Sequence, residues 1–575
     1  MSTLKKSISI VLAILMLISV FTAVPLTAGA AETHKRHTKA NTEKKPTGDY
    51  FTSGDYEYYL TDDGEAQISG YNGSDADLVI PDTLDGHKVV GIYSGAFEEH
   101  EAIKNIQIPD SITYIGSYAF YDTGFYNNEA NWENGVLYIG KFLIKADNMK
   151  GTYTVKNGTT VIANDAFYEW HPVENEDYNY EDDDYYEDGT YSELEGIVIP
   201  SSVTHIGSYV FEYCDKLKNV TLSNGLKYIG EDAFDNCTAL KSISIPNSVT
   251  TLEGWVFENC KSLENVTLPS GISTISYGLF YNCSSLNSIN IPSSVKEIGD
   301  DAFYGTGIYN NPSNWTNGVL YYGKYVIAAD PDVVTGSYTI KSGTEVIGEY
   351  AFWRCEKITG VKIPDSVKYI NYSAFYRCLN LASVTIGKNV KEIKEDAFYR
   401  TALKSVTIPA NVTTIGERAF GYYAQETSDD DYITTKIVDF TINGYAGTAA
   451  EKYASANGFK FVKLTPPKKV KQANTLKVSA KTKAVKAKKL KKKKQTVKPL
   501  TIKNAKGAVT VTKVKKGSAA KLFKKITVNK KTGAITIKKG KYAKKTYKIK
   551  LKITANGNSD YNSKTLTKVV KIKVK

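Results

Sequence analysis

Acidic residues are almost missing from the last fifth of this 575-residue chain. From Pro466 to Lys575 there are 37 lysines, no arginine and one acid, Asp560, for a charge of +36. Subtracting that from the chain's +12 leaves −24 on residues 1–465. Segregated charge of this kind points to binding of a surface or a polyanion. The missing arginine removes the bidentate readers of base edges, and few aromatics interleave with the lysines, so no specific nucleic acid is expected. Catalytic signatures are missing too: there is no G-x-S-x-G, H-E-x-x-H, P-loop or Cys/His pairing. The six histidines (His34, His37, His87, His100, His171 and His205) are scattered, and none adjoins a cysteine. No C-x-x-C or Cys/His spacing supports a metal site. The reading is therefore of a protein that is not an enzyme, with no catalytic residues, no cofactor and no metal.

Long apolar runs are scarce as well. One extends from Ile8 to Val24, after Lys5 and Lys6 and before Ala28-Gly29-Ala30. A basic start, an apolar centre and a small-residue end describe a secretory signal over residues 1–30. A membrane anchor is the alternative, because the run approaches spanning length. No further spanning segment is expected. Without a cysteine near the expected cleavage site no lipid-modified N-terminus is expected, and KVVKIKVK does not read as a hydrophobic sorting tail. Residues 31–49 are polar and predict a disordered linker.

What the sequence does have is a period. KSISIPNSVTTLEGWVFENC (241–260), ENVTLPSGISTISYGLFYNC (264–283) and NSINIPSSVKEIGDDAFYGT (287–306) are one phrase repeated. Phe211, Phe234, Phe257, Phe280 and Phe303 fall 23 residues apart, and Phe97, Phe120, Phe167, Phe352, Phe375, Phe398 and Phe420 extend the series. A fixed period in this range signals a solenoid whose coils cannot bury their apolar faces alone. Val266-x-Leu268 has the alternation of a short strand. The proline that follows in most coils ends that strand by removing a donor and fixing φ. A second apolar set, such as Val295, Ile298 and Phe303, fills the other side. The glycine after the isoleucine (Gly116, Gly207, Gly230, Gly299, Gly348, Gly416) suits a tight corner. Atypical ends are expected to cap the array, near Tyr50–Ile80 and at 440–464, where Ala449–Ala456 reads as a short helix stopped by Asn457-Gly458.

The six cysteines, Cys214, Cys237, Cys260, Cys283, Cys355 and Cys378, each follow a framework phenylalanine by three residues. An even count in an exported chain suggests disulfides. Coils about 5 Å apart would permit bridges by distance, but same-register side chains point in parallel and fit the Cβ geometry poorly. A ladder of buried free thiols is the preferred reading, with bridges between neighbouring coils as the alternative.

The phrase L-x-x-V-x-I-P-x-x-V-x-x-I-G-x-x-A-F-x-x-C resembles the BspA-type leucine-rich repeat family over roughly residues 75–465. That resemblance implies a right-handed, mostly β solenoid, here of about twelve 23-residue coils spanning residues 50–465. It also implies a secreted or cell-surface bacterial protein that works in adhesion, binding a host or matrix protein or a glycan. Two kinds of insertion depart from the plain pattern. Residues 123–147 correspond to 306–330 at a constant offset of 183, and in each an Asn-Gly precedes Tyr-rich strands around Gly-Lys, a β-hairpin signal. Tyr126 and Trp132, with Tyr309 and Trp315, are candidate ligand-binding aromatics, or else the hairpins' own packing. The acidic loop 173–193 adds Tyr180, Tyr185 and Tyr186 as candidates. Its Asp182, Asp183, Asp184 and Asp188 lack a calcium-loop spacing, so solvated acids are expected there.

After Pro466-Pro467 the composition changes. Residues 466–495 read as a basic linker or a first strand. TYKIKLKITA (546–555) and TKVVKIKVK (567–575) alternate apolar residues with lysine, and KITVNKKTGAITIKKG (525–540) reads as two strands about a turn. The segment 496–575 resembles bacterial immunoglobulin-like modules, which implies a small β-sandwich coated with lysine. An anionic cell-wall polymer is its expected partner, for noncovalent attachment or spacing. A carbohydrate-binding accessory protein using the hairpin aromatics is the second reading, and a glycosidase-type enzyme the last.

Overall fold

The repeated prolines close turns. In the computed structural model the carbonyls of Pro109, Pro200, Pro246, Pro292, Pro364 and Pro409 accept the amide three residues on, at Ile112, Val203, Val249, Val295, Val367 and Val412, at 3.0–3.3 Å. The structure describes residues 50–168, 192–426, 432–465, 471–514 and 524–575. Each coil places a two-residue strand, such as Tyr228–Ile229 or Thr251–Leu252, beside that of the next coil in parallel register. A second strand position pairs likewise, as Ser242–Ser244 does with Asn265–Thr267. The described residues of the first unit, 1–464, thus form a mostly β solenoid.

The framework phenylalanines fill its interior. From Phe211 to Phe303 successive rings lie 5.0–5.8 Å apart, and from Phe352 to Phe420 they lie 4.8–4.9 Å apart. All are fully buried. The cysteines stand beside this ladder as free, buried thiols. Cys237, Cys260, Cys283 and Cys378 donate to the carbonyls of Phe211, Phe234, Phe257 and Phe352 at 3.0–3.3 Å, always one coil back. Burial pushes the thiols of Cys237, Cys260 and Cys378 well up, and Cys355 up to about 12. Thiolate, the reactive form, is therefore suppressed. A thiol reagent at pH 8 should label no cysteine in the folded protein and six after unfolding; labelling of only two or fewer in denaturant would establish bridges.

The corner glycines have a different reason from the one the sequence suggested. Gly230 is absent from the left-handed region. What it needs is room: a Cβ there would stand 2.5 Å from the Gly207 carbonyl carbon and 2.5 Å from the Ser208 nitrogen. Left-handed backbone falls elsewhere in the coil, two residues before and two after the phenylalanine, as at Asp232 (φ 53°) and Asn236 (φ 56°) around Phe234.

The two hairpins enter the stack instead of hanging from it. Val136–Ile139 pairs antiparallel with Phe142–Ala146, whose Phe142 and Leu143 pair in parallel with Val161 and Ile162 of the next coil. Val319–Tyr322 and Tyr325–Ala329 repeat the arrangement against Val346 and Ile347. Val136, Leu137, Leu143, Val319, Leu320 and Val326 are fully buried. Where the ladder of phenylalanines is interrupted, Tyr153 and Tyr338 stand in, each 5.9 Å from the next ring, Phe167 or Phe352.

The ends are covered. Antiparallel strands Phe51–Ser53, Tyr56–Leu60 and Ala66–Tyr71 close the first, the last pairing in parallel with His87–Ile92. At the other end the helix Ala449–Asn457 stops at Gly458 (φ 70°). Its Tyr453 hydroxyl donates to the Phe420 carbonyl at 2.8 Å and accepts from the Phe420 amide at 2.9 Å.

The second unit, 465–575, has its own core of Leu490, Ile535, Ile537, Ile549, Leu551, Ile553, Val570 and Ile572. Lys483–Val485, Lys564–Val574, Thr546–Ala555 and Val509–Lys513 make a four-stranded sheet in that order. Gln495–Val497, Ile535–Ile537 and Ile526–Val528 make a three-stranded one, and Lys477–Ala480 pairs with Leu500–Lys503. Of the segment read as a basic linker or first strand, the part from Leu476 onward supplies strands and buried side chains: Leu476 and Leu490 are both within the core.

Candidate binding surface

Both insertions begin from the cysteine position, where Thr123 and Thr306 replace the thiol. Each hydroxyl donates to its own coil's phenylalanine carbonyl, Phe120 or Phe303, and accepts the amide of Tyr126 or Tyr309 at 3.1 Å. Six residues on, the Trp132 indole N–H donates to the Tyr126 carbonyl at 2.8 Å, and the Trp315 indole to the Tyr309 carbonyl at 2.7 Å. In each pair the rings meet edge to face, 5.3 Å apart at 88°. The structure thus brings Tyr126 to Trp132 and Tyr309 to Trp315. All four are half-buried and pack against the core, so much of their surface holds the hairpin in place. Tyr180, Tyr185 and Tyr186, with the acidic aspartates, lie outside the described residues.

The sequence reading missed what these pairs are joined to. Tyr118 and Tyr121 meet 5.6 Å apart, and Tyr121 meets Tyr126 at 5.3 Å. Trp255, Tyr281, Tyr304 and Tyr309 follow one another at 5.4, 5.2 and 5.0 Å. Each hairpin pair ends a series of outer aromatics, which lies within one coil at the first hairpin and crosses three coils at the second. The available signal was the aromatic directly after the framework phenylalanine, at Tyr121, Tyr281, Tyr304, Tyr376 and Tyr399. Tyr118 is 60% exposed and Tyr121 44%. With Tyr126, Lys145, Asn164 and Asp165 they line a pocket beside the first hairpin. Its polar rim is partly engaged: Lys145 Nζ donates to the carbonyls of Asp165 and Tyr168 at 3.0 and 2.6 Å, and Asn164 Oδ1 accepts the Ser208 amide. Burial raises the Asp165 carboxyl above its usual range, against a lowering hydrogen bond from Ser117.

Two acidic groupings were also not singled out. Asp232, Asp235 and Glu258 are buried and offer oxygens within 4.8 Å of one another, a set that could hold a cation. Asn236 and Asn259 donate to the Asp235 carboxylate at 3.0 and 3.3 Å. At the seam beyond the second hairpin, Glu349 is pushed up to about 7 by burial and then by the charge of Glu297, which is itself paired with Lys394 at 2.5 Å. Burial, with Asp301 and Glu349, also raises Asp300. A carboxyl whose folded pKa exceeds its ordinary 4.5 holds its proton better when folded. Its ionisation therefore erodes stability as pH rises from about 4.5 to 7. Glu349→Gln should leave stability at pH 4.5 unchanged and raise it at pH 8 by on the order of 2 kcal/mol. Urea denaturation at both pH values checks this; equal effects at the two would sink the assignment.

The described histidines are occupied by the fold. His87 and His100 contact backbone carbonyls of Gly64 and Tyr71 at 2.7 Å, and His205 contacts the Thr204 hydroxyl. Among the described residues no helix is long and apolar enough to cross a membrane.

A model of the "BspA type Leucine rich repeat region" matches six copies, over residues 77–179, 188–309 and 335–428. No curated relative matches the chain. Among solved structures, a leucine rich cell surface protein from Faecalibacterium prausnitzii A2-165 is similar at 21% identity, covering 73% of this chain and 96% of its own, with a TM-score of 0.26. A leucine-rich repeat protein from Bacteroides ovatus ATCC 8483 is similar at 20% identity, covering 72% and 100%, with a TM-score of 0.27. The pneumococcal vaccine antigen PcpA is similar at 17% identity, covering 58% and 98%, with a TM-score of 0.26.

Proposed function

The chain belongs to the BspA-type leucine-rich repeat family, and from that premise we propose that it is a non-catalytic adhesion protein, exported and kept at a bacterial surface. Its solenoid presents ligand-binding columns, and its C-terminal unit holds an anionic wall polymer. The observation that carries this reading is the division of labour within each coil. Phenylalanine, cysteine and the aliphatic positions are consumed by the core, whereas tyrosine, tryptophan and arginine recur on the outside at the same coil positions. A stack of near-identical coils then offers one extended surface, the use to which solenoids are suited.

The full chain should bind immobilised extracellular-matrix proteins or host glycans saturably. Deleting residues 466–575 should release it from isolated cell walls. Retention after that deletion would sink the wall-attachment half of the proposal, and no capture of any matrix protein or glycan would sink the adhesion half.

A second reading rests on the pocket beside the first hairpin, where exposed tyrosine faces adjoin polar groups in the manner of a sugar site. Tyr118→Ala with Tyr121→Ala should then abolish glycan capture while leaving protein capture intact. Hydrolysis of a glycan is not favoured, because the pocket lining has one carboxyl, Asp165, where a glycosidase uses two.

A further inference from the structure

The chain has five arginines, and four of them fall in the last four phenylalanine coils: Arg354, Arg377, Arg400 and Arg418. Arg418 is neutralised internally, by Asp396 at 2.8 Å, Glu395 at 2.7 Å and Glu417 at 3.1 Å. The other three stand two residues after Phe352, Phe375 and Phe398. Their amides donate to the carbonyls of Tyr376, Tyr399 and Tyr422 at 3.0, 3.1 and 3.2 Å. They therefore lie one above another at the spacing of adjacent strands, about 4.8 Å. All three are partly exposed.

Earlier in the stack the same position holds Asn236, Asn259 and Asn282, in the same left-handed backbone: φ is 55–56° there and 53–59° at the arginines. Asparagine tolerates that conformation well. It also carries both donor and acceptor, so it can bond its neighbours in the stack: Asn282 Nδ2 donates to Asn259 Oδ1 at 3.1 Å, and Asn236 and Asn259 donate to Asp235. A guanidinium has donors only, and stacked guanidinium groups repel. Folding alone thus favours asparagine at positions 354 and 377. Among the described residues neither Arg354 nor Arg377 makes a salt bridge, and the Nε of Arg377 is buried without an acceptor.

A partly exposed aromatic ring accompanies the first two forks. The Arg354 guanidinium lies 5.5 Å from the Trp353 ring centre, and the partly exposed Tyr376 takes the place of Trp353 in the next coil. Tyr399, in the third, is buried, with Tyr376 5.6 Å away at 14° and the Arg418 guanidinium over its ring. We propose that this double column of arginines and aromatics binds an extended anionic polysaccharide; the proposal rests on the solenoid being the ligand-presenting part. Planar guanidinium groups pair bidentately with carboxylate or sulfate, and the aromatic faces receive the sugar rings. The choice of arginine in a chain with 73 basic residues, nearly all lysine, fits a need for the fork and not for charge alone. An acidic polypeptide is the poorer occupant. It would dock by pairing its backbone with a free edge, and the arginine amides here are already bonded to the next coil.

The test uses the full chain with Lys548, Lys550, Lys552 and Lys571 changed to glutamine, which weakens the other polyanion-binding surface. Heparin is the sulfated probe, alginate the carboxylated one and polyglutamate the acidic polypeptide. Binding is followed at fixed salt by calorimetry and by tryptophan fluorescence. Heparin or alginate should bind, and R354N/R377N/R400N, which restores the residue this column carries elsewhere, should weaken that binding at least tenfold. Arg→Lys at the three sites should stay at least threefold weaker than arginine, and Trp353→Phe should remove the ligand-induced fluorescence change. Unaltered binding by the asparagine variant, full rescue by lysine, or polyglutamate binding as tightly as either polysaccharide would each overturn the proposal. If the column fails while the chain still captures a matrix component through residues 50–464, the column alone is wrong; loss of both would also remove the adhesion reading.

Discussion

Replacing Phe257 by alanine is expected to destabilise the solenoid by about 4 kcal/mol. The ring is fully buried and stacked between Phe234 at 5.7 Å and Phe280 at 5.8 Å, so its removal strips contacts from two coils as well as its own. The backbone around it is fixed by neighbours it does not control: its amide donates to the Leu279 carbonyl and its carbonyl accepts the Cys283 thiol. The coil therefore has little freedom to collapse into the cavity, which places the loss in the upper part of the range for such substitutions. Because each coil stabilises only its neighbours, the damage should also divide the stack. Chemical denaturation should show a lower midpoint and a broadened or two-step transition. A loss under 1 kcal/mol with an unchanged transition would show that the ladder is not what unites the coils.

Changing Lys548, Lys550, Lys552 and Lys571 together to glutamine should weaken binding of an anionic wall polymer about a thousandfold, at roughly 1 kcal/mol for each lysine near an anionic surface. On the four-stranded sheet these side chains share one exposed face, while Tyr547, Ile549, Leu551 and Ile572 point to the core. Lys548 sits directly opposite Lys571, a like-charge pair that weakens the sheet. The same variant should therefore be slightly more stable than the natural chain. Sedimentation with purified wall polymer at 50 and 150 mM salt, beside thermal denaturation, reads both effects. Binding that is unchanged, or that does not weaken with salt, would remove this face from the attachment mechanism.

How much of this was legible in the sequence follows from what each residue does. Phenylalanine recurs in every coil, proline in most and cysteine in half, all at fixed places in the period, so the strands, the turns and the thiol column could be placed by counting. The alternation in residues 546–555 likewise placed the lysine face. The hairpins were legible as hairpins, yet their apolar residues gave no sign that Phe142 and Leu143 would take a place in the parallel stack. The external columns were missed for a physical reason. Their residues lie where no apolar side chain is required, so tyrosine, aspartate, asparagine and arginine alternate there without a hydrophobic signal. The buried set Asp232, Asp235 and Glu258 joins residues from adjacent coils, and only the register of the stack brings them together.

The hairpins carry one more consequence. Phe120 and Phe167 are 47 residues apart and Phe303 and Phe352 are 49, neither a multiple of 23, yet parallel pairing resumes immediately after each interruption. Each behaves like a stacking fault in a layered crystal: the layers on either side keep their orientation, and the mismatch is confined to one plane. A chain built this way can accept or lose such a plane by splicing a single segment, without re-solving the packing of any other coil. Surface variety and a fixed interior are thereby inherited separately, and new recognition can arise at a fault while the crystal around it stays unchanged.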